Sequence, residues 1–217
     1  MKWTDKAWLS IEPIFDDILK MAFIQELQEG TLPLAKFQFY MLQDAKYLEH
    51  FARVLAYLGS KLPDNEQALA FFEFGKNALI VERALHGTYF KQFGLSDGES
   101  TALEPVCHHY VHFLKSTAAF DPIEVGVAAV LPCFWIYKEV GDFIYRRQTK
   151  SDNPYASWIE TYSSEEFAQS LEAAKGYADT LASQASPAIQ QHMIDAFVRA
   201  SQLEYLFWEA AYTQKVW

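Results

Sequence analysis

The segment LPCFWIY, residues 131–137, sets a cysteine beside a proline and among aromatics. Tyr137 follows Cys133 by four residues, so both lie on one helical face. Cysteine is intrinsically nucleophilic and is activated by its surroundings. A second segment, QDAKYLEHF (43–51), places Asp44 three residues before Tyr47 and seven before Phe51. That spacing gathers them on one face with Tyr40, Leu48 and Leu55, where a carboxylate is costly to bury without a partner. A third, LEYLFWEAAY (203–212), puts Glu204 on the edge of an apolar stripe of Leu203, Phe207, Ala210 and Ala211. Phe207 is at i+3 from Glu204, whereas Glu209 falls elsewhere, as a surface charge does. Cysteine with a carboxylic acid is a nucleophile with a proton donor. Aromatics without a metal or a basic cluster suit a flat, uncharged or weakly cationic ring.

Each of these residues also has an ordinary reading, and spacing leaves both open. A free cysteine is commonly a small core hydrophobe, which is how Cys107 reads. Asp44 could make a structural hydrogen bond to a tyrosine, and Glu204 could be a solvated glutamate beside the stripe. Metal chemistry is not expected. His108, His109 and His112 offer an i,i+4 pair, but helical di-iron sites need Glu-x-x-His repeats. The chain has none, and Glu82 and His86 are spaced i,i+4. There is no glycine-rich phosphate loop and no Gly-x-Ser-x-Gly.

The elements that must hold these side chains all read as helices, with an apolar period near 3.6. A first helix over about 3–28 turns Leu9, Ile11, Phe15, Ile18, Leu19 and Ala22 inward, and Gly30-Thr31-Leu32-Pro33 ends it. A second, about 33–59, opens on Pro33 and closes at Gly59. Asp64 caps a long third helix that stops near Gly94. Ser96-x-x-Glu99 reads as a capping box for a fourth. Asp121-Pro122-x-Glu124 opens the helix carrying Cys133, in which Pro132 removes one backbone bond at a cost of ~3 kcal/mol and predicts a kink. Asn153-Pro154 starts a short helix through Trp158 to Tyr162. Ser163-x-x-Glu166 starts the next, and Ser186-Pro187 caps a last helix reaching almost to Trp217. Seven to eight helices with short connections make an all-α bundle, and with no linker or repeat it reads as one domain over 1–217.

Composition narrows the function. The 217 residues are 51% hydrophobic and 16% aromatic, enough for a sizeable core. A formal net charge of −10 with no basic run argues against nucleic acid and against anionic membrane surfaces. Arg146-Arg147 with Lys150 reads as the cationic end of a helix. Two distant cysteines make neither a disulfide framework nor a zinc site. No signal-like leader or apolar span appears, which points to the reducing cytoplasm.

The segments LQDAKYLEHFARVL (42–55), LPCFWIYKEVG (131–141), NPYASWIETYSSEEF (153–167) and SQLEYLFWEAAY (201–212), in this order and separation, resemble the thiaminase II (TenA) family. The resemblance implies a haem-oxygenase-like all-α fold without haem or other cofactor, assembled as a homotetramer. It implies hydrolysis of 4-amino-5-aminomethyl-2-methylpyrimidine to the 5-hydroxymethyl compound and ammonia, and in many members cleavage of thiamin. Cys133 is similar to the family's nucleophile and Glu204 to its catalytic glutamate. Asp44 is similar to its pocket aspartate, and Tyr47, Tyr110, Tyr137, Tyr162 and Phe207 to its pocket aromatics. The alternatives are an oxidase on the same fold, which would need metal ligands, and a pyrimidine-binding or regulatory protein without chemistry.

Overall fold

The computed structural model describes residues 1–84, 93–94, 102–148 and 152–217. Among them are nine helices and no strand: α1 (Trp3–Lys20), α2 (Ala22–Glu29), α3 (Leu34–Lys61), α4 (Asn65–Ala84), α5 (Pro105–Phe120), α6 (Ile123–Arg147), α7 (Ala156–Ser163), α8 (Glu165–Gln184) and α9 (Pro187–Thr213). No helix among the described residues is long and apolar enough to cross a membrane. The helices gather into two compact units. The first is Met1–Leu32 with Glu124–Glu209, and the second is Pro33–Ile123 with Ala210–Trp217.

In the first unit α1 packs on α8 and α2, and α7 packs on α8. α1 buries Thr4, Ala7, Ile11 and Ile18. Its N-terminus is capped from a distance: the Asp179 carboxylate on α8 accepts from the Thr4 amide at 2.9 Å and the Thr4 hydroxyl at 3.0 Å. Asn153 ties the entry of α7 to the end of α2. Its Nδ2 donates to the Leu27 carbonyl at 2.9 Å, while its Oδ1 accepts from the Tyr155 amide at 2.9 Å. This satisfies backbone groups left open at two helix ends.

In the second unit α3 packs on α4 and α5. A Cβ on Gly59 would lie 3.0 Å from the Phe72 ring and 3.1 Å from the Ala68 carbonyl of α4. The glycine lets two helices approach closely and does not end one. The expected stop at Gly59 is therefore corrected: α3 continues to Lys61 and is capped at Leu62.

Two other boundaries differ from expectation. The helix expected over about 3–28 is interrupted at Met21, whose ψ of 140° is extended, and the Gln25 side chain caps the Leu19 carbonyl at 2.5 Å. Leu9 and Ala22, expected inside, are exposed. Ser164, not Ser163, caps α8, accepting from the Phe167 amide at 3.2 Å. Pro132 lies inside α6, which runs continuously from Ile123 to Arg147. The residues from Val125 to Leu131 and from Phe134 to Tyr137 are all buried, and packing on that scale offsets the single lost backbone bond. The caps at Asp64 and Ser186 are as expected, accepting from the Gln67 and Ile189 amides. The Ser96/Glu99 capping box and the Glu82–His86 spacing lie outside the described residues, as does the chain between Ala84 and Phe93.

Candidate functional site

The second unit holds Asp44, Tyr47 and Tyr110. α3 places Tyr40, Asp44, Tyr47 and Phe51 along one face, all buried. Asp44 is 3% exposed. Burial pushes its carboxyl up from the usual range to about 7, against a hydrogen bond from the Tyr40 side chain that pulls it down. One of its oxygens, Oδ2, has no hydrogen-bond partner among the described residues. The Tyr47 ring lies 5.3 Å from Phe51, near-parallel, and 4.9 Å from Tyr110 of α5. A buried carboxyl with an open acceptor beside aromatic faces fits a flat ring that carries N–H groups on one edge.

Three further hydrogen bonds tie α5 and the residues just before it to Asp44's helix. Gln43, itself buried, donates to the Ala102 carbonyl at 3.2 Å and accepts from the Glu104 amide at 2.9 Å. Cys107 donates to the Gln43 carbonyl at 3.5 Å. Burial first, and then the charge of Asp44, raise the Cys107 thiol well above its ordinary range. It is a packed thiol and not a poised nucleophile.

The first unit holds Cys133, Tyr137, Tyr162, Glu204 and Phe207. In the run from Val125 to Tyr137 every residue is buried except Cys133, which is partly exposed. The two cysteines thus differ: one is sealed in the core, and the other opens onto accessible space. Tyr137, one turn on, lies 4.8 Å from Tyr162 of α7, 4.9 Å from Trp208 of α9 and 6.2 Å from Trp158. α7 sits close because Gly141 has no side chain. A Cβ there would be 2.8 Å from the Tyr162 carbonyl carbon and 2.9 Å from the Tyr162 Cβ. Lys138 adds a bond to the Ser163 carbonyl at 3.4 Å, at the C-terminal end of α7.

Glu204, the candidate carboxylate at the edge of its stripe, is buried, 1% exposed. A carboxyl this deep needs a partner or a proton, which removes the solvated reading. Phe207 is buried one turn further on, and Glu209 is exposed. Sequence reasoning missed Trp158 and Trp208, both fully buried in the aromatic cluster. The Trp208 indole N–H has no hydrogen-bond partner among the described residues. Its spacing of four from Glu204 was the available signal. Among the described residues no group of three His, Cys, Asp or Glu could hold a metal ion.

The architecture is that of the haem-oxygenase-like helical proteins. It matches a domain of unknown function with that fold from Shewanella denitrificans OS217 with a TM-score of 0.76 at 14% identity, over 97% of this chain and 92% of that one. A TenA homologue from P. horikoshii OT3 matches with a TM-score of 0.89 at 29% identity, over 98% of this chain and 99% of that one. The TENA/THI-4/PQQC family profile matches residues 8–214, and the chain belongs to that family. The aminopyrimidine aminohydrolase of Halalkalibacterium halodurans is 32% identical over 221 residues, 100% of this chain and 98% of its own length. The thiamine biosynthesis multifunctional protein ThiED of Corynebacterium efficiens is 34% identical over 215 residues. This chain spans only 29% of that longer protein's length.

Proposed function

We propose that this chain is an aminopyrimidine aminohydrolase of thiamin salvage, a cytoplasmic homotetramer whose protomer is one domain over residues 1–217. The observation that carries this is the match to a protein of that name along nearly the whole of both chains. The residue types supply a consistent chemistry. Asp44 accepts N–H groups from the ring edge of 4-amino-5-aminomethyl-2-methylpyrimidine, a paired, charge-assisted contact that holds the ring protonated and electron-poor. Tyr47, Tyr110, Tyr137, Tyr162 and Phe207 supply its aromatic surroundings. The Cys133 thiolate adds to the ring. Glu204 donates a proton as the amine on the 5-methylene leaves as ammonia. Glu204 then removes a proton from water as it adds to the methylene carbon, and the thiolate departs. The balance is one water consumed and one ammonia released per hydroxymethylpyrimidine formed. Cleavage of thiamin at the same methylene would release the thiazole in place of ammonia.

Ammonia release from the aminomethylpyrimidine, measured for wild type and three variants, tests these roles. Cys133→Ala should abolish turnover while still binding the pyrimidine. Glu204→Gln should lower kcat by about 10²–10⁴-fold, the usual worth of general acid–base help. Asp44→Asn should chiefly weaken binding. Binding without turnover in the wild type would make the chain a pyrimidine-binding protein, and no binding would overturn the substrate. Thiamin assayed in parallel decides which compound is preferred.

A further inference from the structure

α5 opens without a cap of its own. Glu104 at its N-cap is extended, with a ψ of 163°, and its side chain makes no capping bond to the helix. Pro105 follows at the first helical position. What fixes the start of α5 comes from α3. The Gln43 carboxamide grips the residues on either side of Leu103, donating to the Ala102 carbonyl at 3.2 Å and accepting from the Glu104 amide at 2.9 Å. One donor and one acceptor on a planar group match residues i and i+2 of an extended chain, and only one orientation of the carboxamide serves both. Gln43 is 4% exposed, and a glutamine is rarely that deep. Its partners do not demand it, because Ala102 is exposed and Glu104 half-buried, where water can serve a backbone group. The two bonds therefore fix a position more than they satisfy an orphan.

Position 43 joins two parts of the candidate site. Asp44 is the next residue of α3. On the side of α5, Cys107 donates to the Gln43 carbonyl at 3.5 Å, and Tyr110 follows one turn later. Tyr110 is 1% exposed, and its ring lies 4.9 Å from Tyr47. A helix carries its side chains at a fixed rise and rotation, so the start of α5 sets where the Tyr110 ring stands. A supporting shell that is loose by about 1 Å is enough to lose a site. We infer that Gln43 is a positioning residue of the pyrimidine site: it sets the start of α5, and through it the Tyr110 ring against Tyr47, on the helix face that carries Asp44. Gln43 itself does not touch the pyrimidine. This rests on the aminohydrolase reading above and names how one wall of that same site is held.

A double-mutant cycle on the full chain tests it, with Kd for the aminomethylpyrimidine from titration calorimetry and kcat from ammonia release. Gln43→Leu keeps the side chain's bulk and removes both bonds. It should raise Kd about tenfold, the worth of one aromatic stacking face, and leave kcat near the wild-type value. Tyr110→Ala should raise Kd by a similar factor. Gln43→Leu/Tyr110→Ala should go no further than Tyr110→Ala alone, because the first substitution acts through the second residue. Gln43→Glu adds a pH profile. Its protonated carboxyl can donate to Ala102 and accept from Glu104 as the carboxamide does, whereas its ionised form cannot donate. The ratio of its Kd to that of wild type should be about one at pH 5 and climb toward pH 8, as the donor is lost. A Gln43→Leu chain with the wild-type Kd, or one that loses kcat at unchanged Kd, would overturn the inference. So would effects of Gln43→Leu and Tyr110→Ala that simply multiply, which is what a chain merely loosened by the lost bonds gives. Should Gln43→Leu lose its helical circular dichroism spectrum, Gln43→Glu decides the matter by itself, and a ratio flat across pH overturns the inference. A wild type that neither binds nor converts the pyrimidine overturns the aminohydrolase reading and this inference with it. An active wild type that is indifferent to Gln43→Leu overturns this inference alone.

Discussion

Asp44 is held in a place that works against its own charge. Its carboxyl titrates near 7 in the folded chain and at 3.8 as an ordinary aspartate, because burial outweighs the Tyr40 hydrogen bond. Between those values the folded state binds a proton that the unfolded state has lost. Stability contributed by this group is thus fully present at low pH and declines as pH rises from about 4 to about 7. The whole decline is up to about 4 kcal/mol, from 1.36 kcal/mol per pKa unit. Asp44→Asn has no carboxylate to desolvate, so it should lose that slope and be the more stable chain above pH 7. Urea midpoints of wild type and variant at pH 5 and pH 8 check this. An unchanged pH dependence in Asp44→Asn would show that another group carries it. A residue kept where it destabilises the free protein fits a site that a cationic ring completes, since such a ligand favours the ionised carboxyl and releases its proton on binding.

At the scale of elements, the approach of α6 to α7 decides where the Tyr162 ring stands. Gly141→Ala inserts a methyl at 2.8 Å from the Tyr162 backbone, and backbone cannot swing aside as a side chain can. Overpacking of this kind costs about 1–3 kcal/mol, a fall of roughly 2–12 °C in Tm for a chain of this size. Gly176→Ala on α8, where an added Cβ meets nothing within 4 Å, is the control and should be neutral or slightly stabilising. If both variants melt alike, Gly141 is not a contact position. This pair also shows what the sequence could and could not convey. Caps formed by a side chain on a nearby amide, as at Asp64 and Ser186, are local and were legible. Gly59 and Gly141 were not, because close approach depends on a helix far along the chain, and glycine equally signals a stop. The break at Met21 has no glycine or proline to announce it. For the candidate residues, period alone put Asp44 and Tyr47 on a buried face and Cys133 with Tyr137. It could not tell that Glu204 is buried or that Trp158 and Trp208 join Tyr137, since those depend on which helices meet.

For the whole molecule, the way the chain threads its two units bears on whether they act as one domain. The chain leaves the first unit after Leu32, returns at Glu124 and leaves again after Glu209, so neither unit is a contiguous stretch. α9 runs without interruption from Pro187 to Thr213, past the last of these crossings. Were the second unit to unfold alone, its long segment from Pro33 to Ile123 would remain closed at both ends by the first. A closed loop gains less entropy than a free chain, which lowers the return on unfolding one unit by itself. Differential scanning calorimetry should therefore show one transition per protomer, with calorimetric and van't Hoff enthalpies in agreement at low protein concentration and about 150 kcal/mol per chain near 60 °C. Saturating aminomethylpyrimidine at a hundredfold over Kd adds about 2.7 kcal/mol, moving that whole transition up by about 6 °C. Two resolved transitions, only one of them moving with ligand, would divide the chain into separate domains and confine the ligand to one of them. A single transition that moves as a whole would show that the two units unfold together, as the threading of the chain requires.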